Sequence, residues 1–150
     1  MLHVMFQVGA TEYVLAAQDV VQMESFTSAT QVPGAPSHVI GLIQLRGQLL
    51  PLVDVRARFG LPAAERSIDA RVIVVANGER RVGLLVDRAR EVIELAADEF
   101  QPPPELVTAQ AAGFVRSIAH RDRRVLMLVD VAKVIGKDAP HPEERHGEVT

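Results

Sequence analysis

Two aspartates that stand at equivalent places in the chain could form a catalytic pair. Asp54 and Asp130 lie 76 residues apart (130 − 54 = 76), and each occurs in the same four-residue context, Leu-Val-Asp-Val, after an apolar run. Two carboxylates that share one proton carry out aspartic-protease-type hydrolysis. A small duplicated β-barrel hydrolase using Asp54 and Asp130 is therefore one hypothesis, although neither aspartate has the neighbouring Thr/Ser-Gly that such a catalytic turn needs.

The same two aspartates also fit a structural role at the ends of short helices. Each precedes a stretch with helical character, Val55–Phe59 or Val131–Ile135, and each stretch is closed by a glycine, Gly60 or Gly136. Aspartate is a favoured N-cap residue and glycine is favoured just after a helix. The capping interpretation is favoured over the catalytic one because it explains the glycines as well as the aspartates.

Other kinds of site chemistry find little support in the residue types. The chain has no Cys, and its five His show no metal-ligand spacing, so we expect no cofactor and no metal. The net charge of −3 and the scattered arginines disfavour nucleic-acid binding. No apolar run is long enough to span a bilayer, and no basic leader precedes the first apolar run. We expect a cytoplasmic protein with no direct membrane insertion.

The pair Arg46-Gly47 is the strongest candidate for partner binding. It lies at the tip of a predicted hairpin between two apolar runs. Turn geometry explains the glycine, because a positive φ costs least at Gly. It does not explain the arginine, and Arg is enriched in interface hot spots. An ordinary exposed arginine remains the alternative interpretation.

Paired apolar runs with short polar turns place these residues in a mainly β fold. The chain is 48% apolar but has no Trp, 1 Tyr and 5 Phe, which indicates a small aliphatic core. Four hairpins are predicted: Leu2–Val8 with Tyr13–Ala17, Leu42–Leu45 with Gln48–Val53, Val72–Ala76 with Arg80–Val86, and Phe114–His120 with Arg124–Val129.

The hairpins belong to an internal repeat. A shift of 69 residues places Gly9 on Gly78 (78 − 9 = 69), and the shift of 76 places Asp54 on Asp130. Each half reads as hairpin, third strand, loop, hairpin and short helix, which is enough for one small five-stranded barrel. We therefore predict a first barrel at residues 1–60, a linker at 61–70, a second barrel at 71–136 and a disordered tail at 137–150.

The stretch from Pro33 to Arg56 resembles the signature of the CheW-like domain family. It carries Pro-x-x-Pro, then Arg46-Gly47 between apolar runs, then Pro51-Leu-Val-Asp54, and a second family-like stretch begins at Arg81. The resemblance covers about residues 2–136. It implies two five-stranded SH3-like β-barrels with short helices, in a non-enzymatic adaptor or scaffold. Such an adaptor couples the cytoplasmic tip of a chemoreceptor to the regulatory domain of a CheA-type histidine kinase.

The resemblance also implies a receptor-binding surface. The arginine of the family's Arg-Gly pair maps to Arg46, beside Gly47, and the third strand contributes further residues: Val20, Gln22 and Met23. The chain departs from the family pattern at two of the neighbouring positions. Gln44 replaces the usual Asn and Gln22 replaces a common Glu, which leaves open whether the pathway is chemotaxis, motility, pilus or cyclic-nucleotide signalling.

Overall fold

Eleven strands and two short helices make up the part of the chain that the structure describes. The structure is a computed structural model that describes residues 1–105 and 113–136, and only the backbone of Arg90. The predicted tail at 137–150 lies outside the described residues. The first-half elements are β1 (Leu2–Val8), β2 (Thr11–Ala16), β3 (Val20–Ser25), β4 (Val39–Leu45), β5 (Gln48–Asp54) and α1 (Val55–Arg58). The second-half elements are β6 (Arg71–Asn77), β7 (Arg80–Val86), β8 (Arg88–Glu94), β9 (Phe100–Gln101), β10 (Val115–Arg121), β11 (Arg124–Val129) and α2 (Val131–Ile135).

The strands form two sheets, so the prediction of a mainly β protein with two small SH3-like barrels is confirmed. One sheet has five strands in the order β3-β6-β7-β5-β4. The other has the order β8-β1-β2-β11-β10-β9, in which the two-residue β9 is added to the five strands expected. All four predicted hairpins are present, with strand ends within a few residues of the expected positions.

The two sheets exchange strands between the halves of the chain. The five-stranded sheet contains β3, β4 and β5 together with β6 and β7, and the six-stranded sheet contains β1 and β2 together with β8–β11. Boundaries at 1–60 and 71–136 therefore do not separate the sheets, and that division of the chain is corrected. A single residue, Asp87, joins β7 to β8. That link is shorter than a two-residue hairpin turn, so the chain runs on from one sheet into the other.

The internal repeat is reproduced in the strand register. In the parallel pairing of β5 with β7, Leu52 lies opposite Gly83. In the parallel pairing of β11 with β2, Leu128 lies opposite Val14, which is the same pairing after the shifts of 76 and 69 residues. Bulges also recur, between Val39 and Gly41 in β4 and at the equivalent place in β10. The first hairpin of each repeat thus completes the sheet of the other repeat.

Pro51 lies in an interior strand, although a proline without an N–H suggested an edge or a bulge. β5 is flanked by β4 on one side and β7 on the other. The pairing to β7 begins only at Leu52, one residue after Pro51. The missing donor is tolerated because it falls outside this ladder.

The hydrophobic core has three parts, and the largest lies between the two sheets. Separate clusters fill the inside of each sheet, one around Leu52 and Val74 and the other around Met5 and Val14. The cluster between the sheets takes apolar residues from both sheets and both helices. It includes a row of aromatic rings whose neighbouring centroids are 5.2–5.4 Å apart, formed by Phe6, Tyr13, Phe59 and Phe114.

This arrangement explains the apolar runs that do not alternate with polar residues. In β7, Leu85 faces the inside of its sheet, whereas Leu84 and Val86 face the core between the sheets. Both faces of the strand are therefore buried. The first hairpins of the two repeats supply most strands of this kind, so they are the elements that join the barrels.

Strand exchange predicts how the chain behaves when it is divided in the linker. Residues 1–64 and 65–150, produced as separate fragments, should each lack stable β structure, because each is missing strands that complete its sheets. An equimolar mixture should recover the circular dichroism spectrum and cooperative melting of the intact chain. Stable folding of either fragment alone, at the level of the intact chain, would contradict the exchange.

Candidate functional site

Arg46 and Gly47 form the tight turn between β4 and β5. Both residues have positive φ, 48° at Arg46 and 80° at Gly47, as a type I′ hairpin turn requires. The counterpart turn of the second repeat, Asp122-Arg123, has the same handedness with φ of 48° and 68°. The turn geometry is therefore a property of the repeat, whereas the charge at its first position belongs to this half alone.

The Arg46 side chain is displayed to solvent and held at one point. It is 78% exposed, and its Nε lies 3.3 Å from Oε1 of Glu24 on β3. The same Glu24 oxygen accepts a hydrogen bond of 3.4 Å from Nε2 of Gln22. A short polar row of Gln22, Glu24 and Arg46 thus connects the two edges of the five-stranded sheet, since β3 and β4 are its outer strands.

β3 presents its two faces to different surroundings. Gln22 and Glu24 are half-buried on one face, whereas Met23 is 40% exposed on the other. Met23 lies opposite Ile73 of β6, which belongs to the core between the sheets, and Val20 packs against that same core. Met23 therefore extends this core onto the surface, next to the barrel junction.

Most of the residues predicted for the receptor surface gather around this polar row. Gln44 is exposed on β4, two residues before Arg46, and pairs across the hairpin with Leu49, which is 49% exposed. Val20 is the exception, because it is half-buried against the core. Sequence reasoning did not find Glu24. The signal was its separation of two residues from Gln22, which places both side chains on one face of a strand.

Asp54 and Asp130 are helix caps and lie in different cavities. Asp54 Oδ1 accepts from the backbone N–H of Arg56 at 3.0 Å, and the Asp130 side chain accepts from that of Lys133 at 3.3 Å. Gly60 follows the end of α1 with φ of 75°, whereas Gly136 is itself the last capping residue of α2, with φ of 63°. The aspartates line separate cavities, so they do not form the shared-proton pair of the hydrolase hypothesis.

An ion pair that the sequence did not reveal joins α1 to the end of β7. The Arg56 guanidinium donates through Nε and Nη2 to Asp87, at 2.7–3.1 Å. Asp87 also accepts from the backbone N–H of Gly9, at 2.7 Å, in the β1–β2 turn of the other sheet. Burial raises the pKa of Asp87, but these hydrogen bonds and the charge of Arg56 outweigh it and hold the pKa below its ordinary value. This clamp ties three segments from both sheets together.

A second arginine of α1 reaches the other repeat. Arg58 donates to the backbone carbonyls of Val134 and Lys133 in α2, at 3.0 and 3.1 Å. Its guanidinium also lies 5.0 Å from the ring centroid of Phe114, within the range of a cation–π contact. The two helices are therefore connected through a side chain as well as through the core.

Two further searches concern the described residues alone. Within residues 1–105 and 113–136, no group of three or more His, Asp or Glu side chains is placed to hold a metal ion. In the same part of the chain, no helix has the length and apolar character needed to cross a membrane.

Two small β-barrels joined by a common core, with an exposed cationic turn, define a protein-binding scaffold. The chain matches the family model described as the CheW-like domain over residues 2–139, and it belongs to that family. It is similar to the chemotaxis protein CheW of Rhizobium meliloti (strain 1021), with 35% identity over 129 residues, 86% of this chain and 83% of that protein. With CheW of Bacillus subtilis (strain 168) it shares 31% identity over 136 residues, 91% and 87% of the two chains.

A solved structure shows the same architecture. The crystal structure of the scaffolding protein TtCheW from Thermoanaerobacter tengcongensis superposes with a TM-score of 0.84 at 30% identity, and covers 93% of this chain and 95% of that one. The chain is accordingly a non-enzymatic coupling adaptor of the chemotaxis type, and the hydrolase alternative is not supported.

The Arg56–Asp87 clamp makes a pH-dependent contribution to stability. Asp87→Asn should lower the free energy of unfolding by about 1 kcal/mol at pH 7, a value reduced for the part of Asp87 that solvent reaches. Because the pKa of Asp87 is lowered by folding, this contribution is complete above the unfolded pKa of about 3.9 and is lost as the pH falls below it. Urea unfolding of both proteins between pH 3 and 7 should show a constant difference down to about pH 5, which then shrinks. A difference that grows on acidification would contradict the clamp.

Proposed function

We propose that this chain joins the cytoplasmic tip of a chemoreceptor to the regulatory domain of a CheA-type histidine kinase. The proposal is supported by membership of the CheW-like domain family and by the likeness to a protein named as a scaffold. The observation that carries it is the Arg46 side chain, displayed at a rigid turn and oriented by Glu24. The adaptor acts in the cytoplasm, and neither nucleic acid nor membrane insertion is part of its action.

The receptor surface in this proposal comprises the β4–β5 turn and the neighbouring β3 edge. Its polar part is the exposed Arg46, with Gly47 and Gln44 beside it and Gln22 behind Glu24. Its apolar part is Met23, which continues the core between the sheets, with Val20 beneath. A charged anchor next to a small apolar patch suits the amphipathic surface of a helical receptor tip.

The ion pair with Glu24 gives Arg46 a defined position before any partner arrives. An exposed ion pair adds little to folding stability, because solvent screens it and both side chains lose rotamer freedom. Holding a long side chain in one geometry reduces the entropy that a binding partner must still remove. The role of Glu24 in this proposal is therefore preorganisation of Arg46 rather than stabilisation of the barrel.

The proposed mechanism is binding without chemistry. One surface holds the receptor and another holds the kinase, so that a change in the receptor reaches the kinase through their fixed relative position. Contacts of this size are individually weak, and a lattice of many receptors and kinases raises the effective concentration of each partner. The clamp between the barrels matters here because it fixes the distance between the two surfaces.

Reversal of the charge at the hairpin tip tests the polar part of the surface. Arg46→Glu should abolish binding to a receptor tip fragment in a pull-down or calorimetric titration, because the anchor is lost and a like charge is placed beside Glu24. The melting temperature should hardly move, since the side chain is 78% exposed.

A matched control is offered by the second repeat. Arg123→Glu makes the same charge change at the tip of the equivalent hairpin, also at positive φ. It should leave receptor binding intact. Normal binding by Arg46→Glu, or equal losses in both variants, would show that the surface has been placed wrongly.

Met23 tests the apolar part of the surface. Met23→Glu should weaken receptor binding by about tenfold or more, because the partner would have to desolvate a carboxylate in place of a thioether. Val92 is the equivalent residue of β8 (92 − 23 = 69) and is 54% exposed, so Val92→Glu is the control. Affinities measured by calorimetry should fall for the first variant and stay constant for the second. The reverse order would assign the receptor to the other barrel.

A further inference from the structure

The repeat places a cavity at the same location in each half of the molecule. The first has a volume of about 390 Å³ and the second of about 410 Å³. Residues that line the first correspond to residues that line the second after the shifts of 69 and 76. The matching pairs are Gln7 with Ala76, Asp87 with Gln18, Arg88 with Asp19, Asp54 with Asp130, and Arg56 with Ala132. The two cavities are thus versions of one cleft.

The first cleft holds an arginine of the chain itself. The Arg56 guanidinium lies among Asp87, the Pro62 carbonyl and the linker, and makes hydrogen bonds of 2.7–3.1 Å there. Its aliphatic stem runs along the wall of the cleft. The fold therefore accommodates one arginine side chain at this place.

The second cleft has the same frame without that arginine. Ala132 replaces Arg56 and Gln18 replaces Asp87, so both members of the clamp are missing. The walls are formed by small or apolar side chains, among them Ala16, Ala76 and Phe100. An arginine-sized space is left where the other repeat is filled.

The charges of the second cleft are those expected for a cation. The acid Asp130 is kept, and the acid Asp19 stands where the first cleft has the cation Arg88. Among the described residues, no cationic side chain lies within ion-pair distance of Asp19 or Asp130. Arg116 also lines the cleft, and the amine of Met1 there is paired with Glu94. Two acids against one unpaired arginine leave a net charge of −1.

We propose that the second cleft binds an arginine side chain of a protein partner. The partner's guanidinium takes the place that Arg56 takes in the first cleft, between Asp19 and Asp130, and its aliphatic stem lies against the alanine-lined wall. The proposal is independent of which proteins bind at Arg46 and Met23, because it concerns another part of the barrel junction.

Titration of the full chain with a small probe tests the site. In heteronuclear NMR, N-acetyl-L-arginine amide should shift the backbone signals of Ala76, Asn77 and Ala132 in a saturable manner. N-acetyl-L-citrulline amide, which has the same shape without the charge, should not. Free arginine should bind no more tightly than the capped probe if the natural source is a protein. Equal effects of the two capped probes, tighter binding of free arginine, or no shift at any of these residues would overturn the proposal.

Substitutions separate the cleft from the rest of the surface. Asp19→Asn should weaken binding of the arginine probe about tenfold, whereas Asp122→Asn, with the same charge change at a distant turn, should not. The double variant Gln18→Asp/Ala132→Arg rebuilds the clamp and should fold at least as stably as the parent while losing the probe site. Undiminished probe binding by the folded double variant would contradict the proposal.

Discussion

The burial of one apolar surface between two exchanged sheets is the interaction on which the rest of this structure depends. The first hairpin of each repeat is apolar on both faces and completes the sheet of the other repeat. Neither barrel is therefore complete without both halves of the chain. The clamp of Arg56, Asp87 and Gly9 adds polar contacts at the same junction. The two barrels consequently form one body, and every surface on it has a fixed relation to the others.

Duplication supplied a common frame, and the two copies differ where partners would bind. The hairpin tip carries Arg46 in one repeat and Asp122 in the other, although the turn geometry is the same. The cleft at the junction is filled by Arg56 in one repeat and open at Ala132 in the other. A symmetric frame with unlike surfaces suits a protein that must hold two different partners at once.

Local pattern was sufficient for much of the fold. Apolar runs around two-residue turns located all four hairpins, and Gly9 with Gly78 revealed the repeat, since a positive φ is needed at both. Strand exchange could not be read in this way, because contiguous and exchanged barrels bury the same residues with the same periodicity. The Arg56–Asp87 clamp was equally hidden, since its partners are 31 residues apart and no spacing rule connects them. Glu24 was missed because its role depends on the approach of two sheet edges.

The central claim is that this chain brings a receptor and a kinase together, and co-sedimentation tests it most directly. Vesicles that carry a receptor's cytoplasmic region would be pelleted with a CheA-type kinase, with and without this protein at matched concentrations. The account predicts that the kinase pellets with the receptor only when the protein is present, and that all three appear in the pellet. Equal kinase in the pellet without the protein, or a protein that stays in the supernatant with both partners present, would contradict it.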